Sequence, residues 1–342
     1  MTTTTTAEPL LQVRNLQKHF PIKKSTLFGG QKQSVKAVDG VSFDVYPGES
    51  LGIVGESGCG KSTTGRMLLR LLEPTGGEVI YQGRDIAQIS AGEMRMLRKD
   101  IQIVFQDPFA SLNPRMRVRQ IVEEPLMNFR ICASRKEARQ RAREILEQVG
   151  LGENHMERFP HEFSGGQRQR IGIARALASE PKLIIADEPV SALDVSIQAQ
   201  VLNLMKSLQK EYGFSFVFIS HDLSVVKHFC DRIGVMYLGK LVEVAEKKDL
   251  YAKPMHPYAQ ALLSAIPRTV PGSTKQRIVL QGDVPSPANP PAGCPFNPRC
   301  PAAFSDCTEI VPELISREGR QVACHLYPAD DPQAGQQQPT AV

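Results

Sequence analysis

Short runs of consecutive apolar residues recur along the chain, each bounded by polar or turn-forming residues. They are LGIV at 51–54, LIIA at 183–186 and FVFI at 216–219. A strand that is buried on both faces has a continuous apolar sequence of this length, whereas a half-exposed strand alternates. The pattern predicts a mostly parallel sheet covered by helices, and hence an α/β fold.

Two other stretches have a different periodicity. Residues 10–50 mix short β-type runs such as VSFDV with turn residues, which predicts a small antiparallel β subdomain. Between Gln106 and Ser164, the segment RKEARQRAREILEQVGL has apolar positions at helical spacing and a Gly near its end. We therefore expect a helical subdomain at about 107–180.

The composition changes again near the end of the chain. From Pro254 the sequence is rich in Pro, Gly and Cys, which predicts a small Cys/Pro-rich module at 254–328 after a main domain at 10–253. Residues 1–9 and 329–342 lack periodicity, and we expect both to be disordered.

Composition and charge exclude several classes of protein. The 342 residues are 41% hydrophobic and 23% charged, which is enough to bury a sizeable core. A net charge of +5 is mild and does not predict nucleic-acid binding. No apolar run approaches the roughly 20 residues of a membrane span, and we expect no signal peptide. Seven cysteines without a secretion signal argue against a disulfide framework.

The segment GESGCGKS at 55–62 fits the pattern G-x(4)-G-K-[ST] and lies between the LGIV run and a helical run, TTGRMLLRLL. Its glycines let backbone N–H groups wrap phosphates, and the helix N-terminus favours negative charge. Lys61 is expected to reach the β- and γ-phosphates, and the Ser62 hydroxyl to bind Mg²⁺. A chance match in a Gly-rich turn is the alternative, which the strand–loop–helix context disfavours. The residues expected to bind ATP here are Gly55, Ser57, Gly58, Cys59, Gly60, Lys61, Ser62 and Thr63.

One cysteine lies inside this phosphate loop. Cys59 is two residues from Lys61 and close to a helix N-terminus, and both features favour a thiolate. We therefore expect a reactive thiol that bound ATP protects; the alternative is that Cys59 merely fills a position that tolerates small residues.

The LIIADE segment supplies two carboxylates. Asp187 ends a predicted buried strand, where it can hold Mg²⁺, and Glu188 is suited to deprotonate an attacking water. A surface Asp-Glu pair at the start of a helix is the alternative, but four apolar residues precede this pair.

The next motif resembles the signature of the ABC ATPases. It reads FSGGQ at 163–167, with Phe163 where that family usually has Leu. In the family this motif and the D-loop, here SALD at 191–194, contact the nucleotide of the partner subunit. The resemblance thus implies a partner-site ATP contact by Ser164, Gly165, Gly166, Gln167 and Asp194.

Three further residues match motifs of the same family. Gln106 resembles the Q-loop glutamine, which contributes to catalysis and to Mg²⁺ binding, and His221 resembles the switch histidine that contacts the γ-phosphate. Phe20 lies where the family stacks an aromatic ring on adenine. The resemblance covers roughly residues 10–328 and implies a RecA-like P-loop core with an antiparallel β subdomain and a helical signature subdomain.

The C-terminal region indicates which group of ABC ATPases the chain resembles. MHPYAQALLSAIP and PSPANPPAGCPFNPRC are similar to the ATPase subunits of dipeptide and oligopeptide permeases, most of all to the second of their two ATPases. This implies an ATPase that powers peptide import from the cytoplasmic side of the inner membrane as a peripheral subunit. The implied partners are a second homologous ATPase subunit, two transmembrane permease subunits and a periplasmic peptide-binding protein, with no nucleic acid. A nickel, haem-precursor or glutathione substrate stays open, as does a homodimer of this chain.

Four cysteines in this region form a candidate metal site: Cys294, Cys300, Cys307 and Cys324. Their spacing matches no common zinc-finger pattern. The resemblance to the permease subunits favours a [4Fe–4S] cluster, with Zn²⁺ as the alternative and four reduced, packed thiols as a third reading. The expected cofactors are thus ATP, Mg²⁺ and this cluster.

Two other functions are less consistent with the sequence. An ABC ATPase acting on DNA or ribosomes would have long coiled coils or a second ATPase domain, and the insert between Gln106 and Ser164 has no heptad run. A binding module with degenerate catalysis would have lost key residues, yet Lys61, Glu188 and His221 are all present.

Overall fold

The computed structural model describes residues 8–22, 33–266 and 277–327. The two segments that we predict to be disordered, 1–9 and 329–342, lie outside these residues apart from positions 8 and 9. Among the described residues, no helix is long and apolar enough to cross a membrane.

Twelve strands are found in the described part of the chain. They are β1 (Leu11–Pro21), β2 (Ser34–Val45), β3 (Ser50–Val54), β4 (Gly76–Tyr81), β5 (Arg84–Asp85), β6 (Ile101–Val104), β7 (Leu183–Asp187), β8 (Ser215–Ser220), β9 (Arg232–Tyr237), β10 (Lys240–Glu246), β11 (Ile315–Arg317) and β12 (Arg320–Val322).

Eleven α-helices accompany them there. They are α1 (Lys61–Leu68), α2 (Ala91–Leu97), α3 (Pro108–Ser111), α4 (Val118–Asn128), α5 (Arg135–Gln148), α6 (Gly165–Leu177), α7 (Val195–Tyr212), α8 (Leu223–Phe229), α9 (Lys247–Ala252), α10 (Pro257–Ser264) and α11 (Ser305–Glu309).

The larger sheet has eight strands in the order β11-β12-β10-β9-β3-β8-β7-β6. The five strands from β9 to β6 are parallel to one another, and β10, β12 and β11 continue the sheet by antiparallel pairing. The three apolar runs form the central strands β3, β7 and β8, as predicted.

Both faces of these central strands are buried, which explains why their sequences do not alternate. Along β7, Ile184 and Ala186 pack into one core, while Leu183 and Ile185 pack into a second core on the opposite face. The first core contains residues of the helices α4 to α8, and the second contains residues of α1 and of the antiparallel sheet. The α/β class predicted from the apolar runs is therefore confirmed.

The antiparallel subdomain is a four-stranded sheet in the order β2-β1-β4-β5. The sequence predicts β1 and β2 within residues 10–50, but β4 and β5 come from residues 76–85, beyond the phosphate loop. Leu11 of β1 pairs with both Val45 and Tyr81, so this strand joins the two parts. The helical subdomain is also present, with α5 ending just before Gly150, whose φ of 79° is left-handed.

The Cys/Pro-rich segment is joined to the core sheet through β12, which pairs with β10. Beside this pairing, the carboxylate of Glu243 is completely buried and accepts hydrogen bonds from the N–H groups of Met255 and His256 at 3.1 and 2.8 Å. Arg320 of β12 lies 3.5 Å from the same carboxylate. A buried charge requires such partners, so these contacts join the segment to the core. The limits 254–328 of a separate module stay a prediction.

Candidate nucleotide-binding site

The groove at the carboxyl ends of the parallel strands contains most of the residues expected to bind ATP. It has a volume of about 460 Å³ and is lined by Ala37, Ser57, Gly58, Gly60, Lys61, Ser62, Thr63, Gln106, Glu188 and His221. Ligands of open α/β sheets bind at this edge, because loops from several strands converge there.

The phosphate loop connects β3 to α1, and close packing determines its path. Gly60 is the N-cap of α1 with a φ of 109°, a conformation that glycine adopts readily. A Cβ on Gly60 would also collide with the carbonyl oxygen of Ala37 on β2. A side chain at this position would therefore push the loop away from its neighbour.

Lys61 begins α1 and has a buried side chain. Its Nζ donates hydrogen bonds to the carbonyl oxygens of Gly55 and Glu56 at 2.9 and 3.0 Å. The ammonium group therefore lies over the loop, where the phosphates of a nucleotide would replace or supplement these carbonyls.

Ser62 and Asp187, the two expected Mg²⁺ ligands, are in direct contact. The Ser62 hydroxyl donates to Oδ1 of Asp187 at 2.7 Å. Burial raises the pKa of Asp187, while the hydrogen bond from Ser62 opposes this shift. A buried carboxylate beside a hydroxyl, with the Gln106 amide at the same groove, is a set of hard oxygen donors that fits Mg²⁺.

The three residues expected in catalysis form one hydrogen-bonded group. Gln106 Nε2 donates to Oε2 of Glu188 at 3.1 Å, and Nδ1 of His221 lies 3.0 Å from the same oxygen. Because a carboxylate oxygen accepts, Nδ1 is the donor in this contact. Glu188 has a left-handed backbone with a φ of 48°, and its N–H donates to the carbonyl of Ile219 on β8. The strand β8 therefore positions both Glu188 and, through its end, His221.

Phe20 lies apart from this group. It is 39% exposed on β1 and is not among the described residues that line the groove. The ammonium of Lys18 lies 5.1 Å from its ring centroid. Stacking of Phe20 on adenine stays a prediction.

The expectation that its neighbours in sequence favour a thiolate at Cys59 is wrong, whereas its reactivity and protection by ATP stay a prediction. Burial raises the pKa of the Cys59 thiol, and this effect outweighs the opposing charge of Lys61, whose Nζ is 3.8 Å from Sγ. The thiol is only 5% exposed and packs under the loop as a small apolar group.

The signature motif lies outside the groove. Ser164 is exposed and caps α6, where its hydroxyl accepts the N–H of Gln167 at 3.3 Å and Gln167 Oε1 accepts the N–H of Ser164 at 3.1 Å. Gly166 packs against Ile197 of α7, where a Cβ would collide. Asp194, the N-cap of α7, is exposed as well. Among the interactions of the described residues, none joins the phosphate loop of the same chain to Ser164, Gly166, Gln167 or Asp194.

The four candidate metal cysteines lie close together. The pKa of Cys324 is raised to about 11, mainly by burial and in smaller part by electrostatic repulsion from the other three thiols. The N–H of Cys294 donates to the carbonyl of Cys307 at 2.9 Å. However, no three His, Cys, Asp or Glu side chains within 8–22, 33–266 and 277–327 are arranged to hold a metal ion.

The fold and the groove together define an ATPase of the ABC class. Residues 38–191 match the family model described as ABC transporter, and residues 242–307 match the model of the oligopeptide/dipeptide transporter C-terminal region. The chain belongs to the ATP-binding subunits of the oligopeptide/dipeptide ABC transporters, and it is an ATPase.

Curated relatives cover nearly the whole chain. The oligopeptide transport ATP-binding protein AppF of Bacillus subtilis is 57% identical over 94% of this chain and 98% of its own length. The dipeptide transport ATP-binding protein DppF of Escherichia coli is 52% identical over 96% and 97%, respectively.

Solved structures confirm the core fold. The dimeric ATP-binding cassette MJ0796, in a post-hydrolysis state with ADP and Pi, has a TM-score of 0.60 and 31% identity, covering 69% of this chain and 98% of that one. The cbiO1 subunit of Clostridium perfringens, part of the ABC transporter complex cbiONQ, has a TM-score of 0.61 and 29% identity over 72% and 92%.

We predict that Gly60→Ala weakens nucleotide binding by at least about tenfold, because the new Cβ displaces the loop from Ala37. The matched control is Gly48→Ala, since Gly48 also has a left-handed φ, of 73°, but has open space around it. That control should lose about 1–2 kcal/mol of stability from backbone strain and keep its nucleotide affinity. Titration with a fluorescent ATP analogue and urea denaturation measure the two effects. Wild-type affinity in Gly60→Ala would contradict this account of the loop.

Proposed function

We propose that this chain powers the uptake of dipeptides or oligopeptides by hydrolysing ATP at the cytoplasmic face of the inner membrane. The observation that carries the proposal is the contact of Gln106 and His221 with one carboxylate oxygen of Glu188, beside the phosphate loop. The peptide substrate is supported by the relatives, which are described as oligopeptide and dipeptide transport ATP-binding proteins.

In this proposal Glu188 is the general base of hydrolysis. It takes a proton from water as the water oxygen attacks the γ-phosphorus, and ADP leaves with the former bridging oxygen. Gln106 and His221 orient the carboxylate before ATP arrives, and His221 then contacts the γ-phosphate. Lys61 stabilises negative charge on the phosphates. Mg²⁺ held by Ser62, Asp187 and Gln106 would neutralise charge on the phosphate oxygens.

The second element of the proposal is a head-to-tail dimer. Asp194 is exposed, and so is Ser164 at the N-terminus of α6, which lies outside the groove of its own chain. Gly165 and Gln167 are partly exposed at this helix terminus, and Gly166 is buried against α7. Such a terminus favours an anion, and the phosphates of a partner's ATP are the proposed ligand. The dimeric form of the MJ0796 cassette supports this arrangement.

The partners follow from the same family relationship. We propose a homologous ATPase as the second subunit, two transmembrane permease subunits and a periplasmic peptide-binding protein. The permeases would dock on the helical subdomain, so that movement of Gln106 after γ-phosphate release changes the position of α3 to α6. The chain itself would be a peripheral subunit of the membrane.

We also propose that Cys294, Cys300, Cys307 and Cys324 hold a structural [4Fe–4S] cluster, with Zn²⁺ as the alternative. Four soft donors within one short segment support the proposal, and the hydrogen bond from the Cys294 N–H to the Cys307 carbonyl joins the turns that carry two of them. The arrangement of the side chains would need to tighten on metal binding. Metal binding would then contribute to the stability of the segment.

The general-base role predicts that Glu188→Gln keeps ATP binding but reduces turnover by at least about a hundredfold, because an amide cannot accept the proton. The matched control is Glu180→Gln, which alters only an exposed ion pair with Arg141 and should leave turnover unchanged. Steady-state phosphate release in the assembled transporter measures the effect. Normal turnover in Glu188→Gln would rule out the assignment.

The dimer model predicts that Ser164→Arg blocks hydrolysis in the assembled transporter while the isolated subunit binds ATP normally. Ser134→Arg is the control, because Ser134 caps α5 with the same type of hydrogen bond but lies outside the signature motif. Both variants lose a helix cap worth about 1 kcal/mol. Should the isolated Ser164→Arg subunit lose ATP binding, the head-to-tail model would be wrong.

The metal proposal predicts brown, anaerobically purified protein with broad absorption near about 400 nm, typical of thiolate-bound iron–sulfur clusters. Replacing Cys300 and Cys307 by Ser should remove the colour and make residues 284–327 protease-sensitive. The control Cys132→Ser, in the helical subdomain, should keep the colour. Colourless protein with one zinc per chain would shift the assignment to zinc, and metal-free protein with a protease-resistant C-terminus would contradict both.

A further inference from the structure

The side chain of one residue of the phosphate loop, Glu56, is held by the C-terminal segment. The guanidinium of Arg299 contacts both carboxylate oxygens of Glu56: Nη1 lies 2.8 Å from Oε2, and Nη2 lies 3.3 Å from Oε1. The two residues are 243 positions apart in the sequence. This two-point geometry fixes the orientation of the carboxylate as well as its position.

The environment of this ion pair differs from that of a surface pair. The Arg299 side chain is 9% exposed and that of Glu56 is 29% exposed. The guanidinium carbon also lies 6.0 Å from the ring centroid of Tyr237, on the strand next to β3. Exposed ion pairs contribute little, but a partly buried, bidentate pair has a stronger preference for one geometry.

A second residue of the C-terminal segment holds the backbone at the same position. The N–H of Glu56 donates to the hydroxyl of Tyr258 at 2.9 Å. Tyr258 is completely buried, and its ring packs against Tyr237 and Phe296 at centroid distances of 4.7 and 5.4 Å. Aromatic packing therefore holds the ring of Tyr258, and with it the hydroxyl, in position.

Residue 56 is also connected directly to Lys61. Its carbonyl oxygen accepts a hydrogen bond from Lys61 Nζ at 3.0 Å. The side chain, N–H and carbonyl of this one residue thus contact Arg299, Tyr258 and Lys61, respectively. A shift of Glu56 would move the partner of the lysine that is expected to bind the phosphates.

The C-terminal segment reaches the far end of the loop as well. The N–H of Lys36 donates to the carbonyl of Pro287 at 3.0 Å, and the next residue, Ala37, has the carbonyl against which Gly60 packs. The segment therefore contacts the phosphate loop directly at Glu56 and, through β2, at Gly60.

We propose that Arg299 and Tyr258 are positioning residues of the ATP site, which hold Glu56 so that the phosphate loop keeps the shape that binds ATP. Arg299 also neutralises the one carboxylate within the loop, which would otherwise repel an incoming polyphosphate. The inference rests on the assignment of this loop to ATP and is independent of the transported substrate.

Neither residue is expected to touch the nucleotide. Their effect would be on affinity, because the loop without them must be ordered at the moment of binding. A merely structural contact would behave differently: its loss would lower the stability of the protein and leave the affinity of the folded fraction for ATP unchanged.

The test is a double-mutant cycle in the full-length chain, using Arg299→Met, Glu56→Ala and the double variant. Binding of a fluorescent MgATP analogue gives Kd, and urea denaturation reports stability. Arg299→Met should raise Kd about tenfold in the wild-type background but less than about twofold in the Glu56→Ala background. In the assembled transporter, KM should rise by a similar factor while kcat stays within about twofold of the wild-type value.

Tyr258→Phe is the second variant, because it removes only the hydroxyl and keeps the aromatic packing. Tyr258→Phe should also weaken binding of the MgATP analogue. If Arg299→Met does not fold, Tyr258→Phe tests the proposal in its place. Lys253→Met is the control, since it removes an exposed ion pair between Lys253 and Glu318 near the same segment. That control should bind ATP like the wild type.

Two results would overturn this inference and leave the assignment of the loop to ATP intact. One is a wild-type Kd in both Arg299→Met and Tyr258→Phe, and the other is an equal loss of affinity from Arg299→Met with and without Glu56. Failure of the wild-type chain to bind MgATP at all would instead overturn the ATP assignment, and the inference with it.

Discussion

The phosphate loop occupies its position only because neighbouring backbones approach it without side chains between them. A Cβ on Gly60 would meet the carbonyl of Ala37 on β2, and a Cβ on Gly55 would meet the carbonyl of Met236 on β9. The loop is therefore enclosed between the antiparallel subdomain and the central sheet. These approaches fix where α1 begins, and with it the position of Lys61 and Ser62 relative to the strands that carry Asp187 and Glu188.

Polar contacts within the groove prepare it for a charged ligand. The ammonium of Lys61 donates to two backbone carbonyls, and the carboxylate of Asp187 accepts from the Ser62 hydroxyl. Burial raises the pKa of Asp187 because it disfavours the charged carboxylate, and a cation bound beside it would oppose this effect by stabilising the charge. The groups expected to bind ATP are thus already oriented by contacts within the protein, which reduces the cost of ordering the site.

The sequence predicted the parts of this site that depend on local chemistry. The runs LGIV, LIIA and FVFI identified β3, β7 and β8 because burial on both faces leaves a continuous apolar pattern. The sequence did not predict β11 and β12, which are only three residues long: β12 pairs with β10, and β11 pairs with β12. The pKa of Cys59 is a second property that the local sequence does not predict. Its neighbours in sequence favour a thiolate, but its burial, which depends on the tertiary fold, raises the pKa instead.

The sequence of the C-terminal segment does not reveal the contacts of this segment with the core, because these contacts join residues that are far apart in the sequence. Its composition is poor in large apolar residues, yet Cys294, Phe296 and Cys307 pack into the same core as the helical subdomain. Phe296 also contacts Tyr258, whose hydroxyl accepts the N–H of Glu56. Phe296 and Tyr258 therefore connect the cysteine-rich turn to the phosphate loop by direct contacts. The cysteine-rich turn and the nucleotide site therefore belong to one packed unit. Because tightly packed interiors transmit displacement, a shift of that turn would change the geometry of the site.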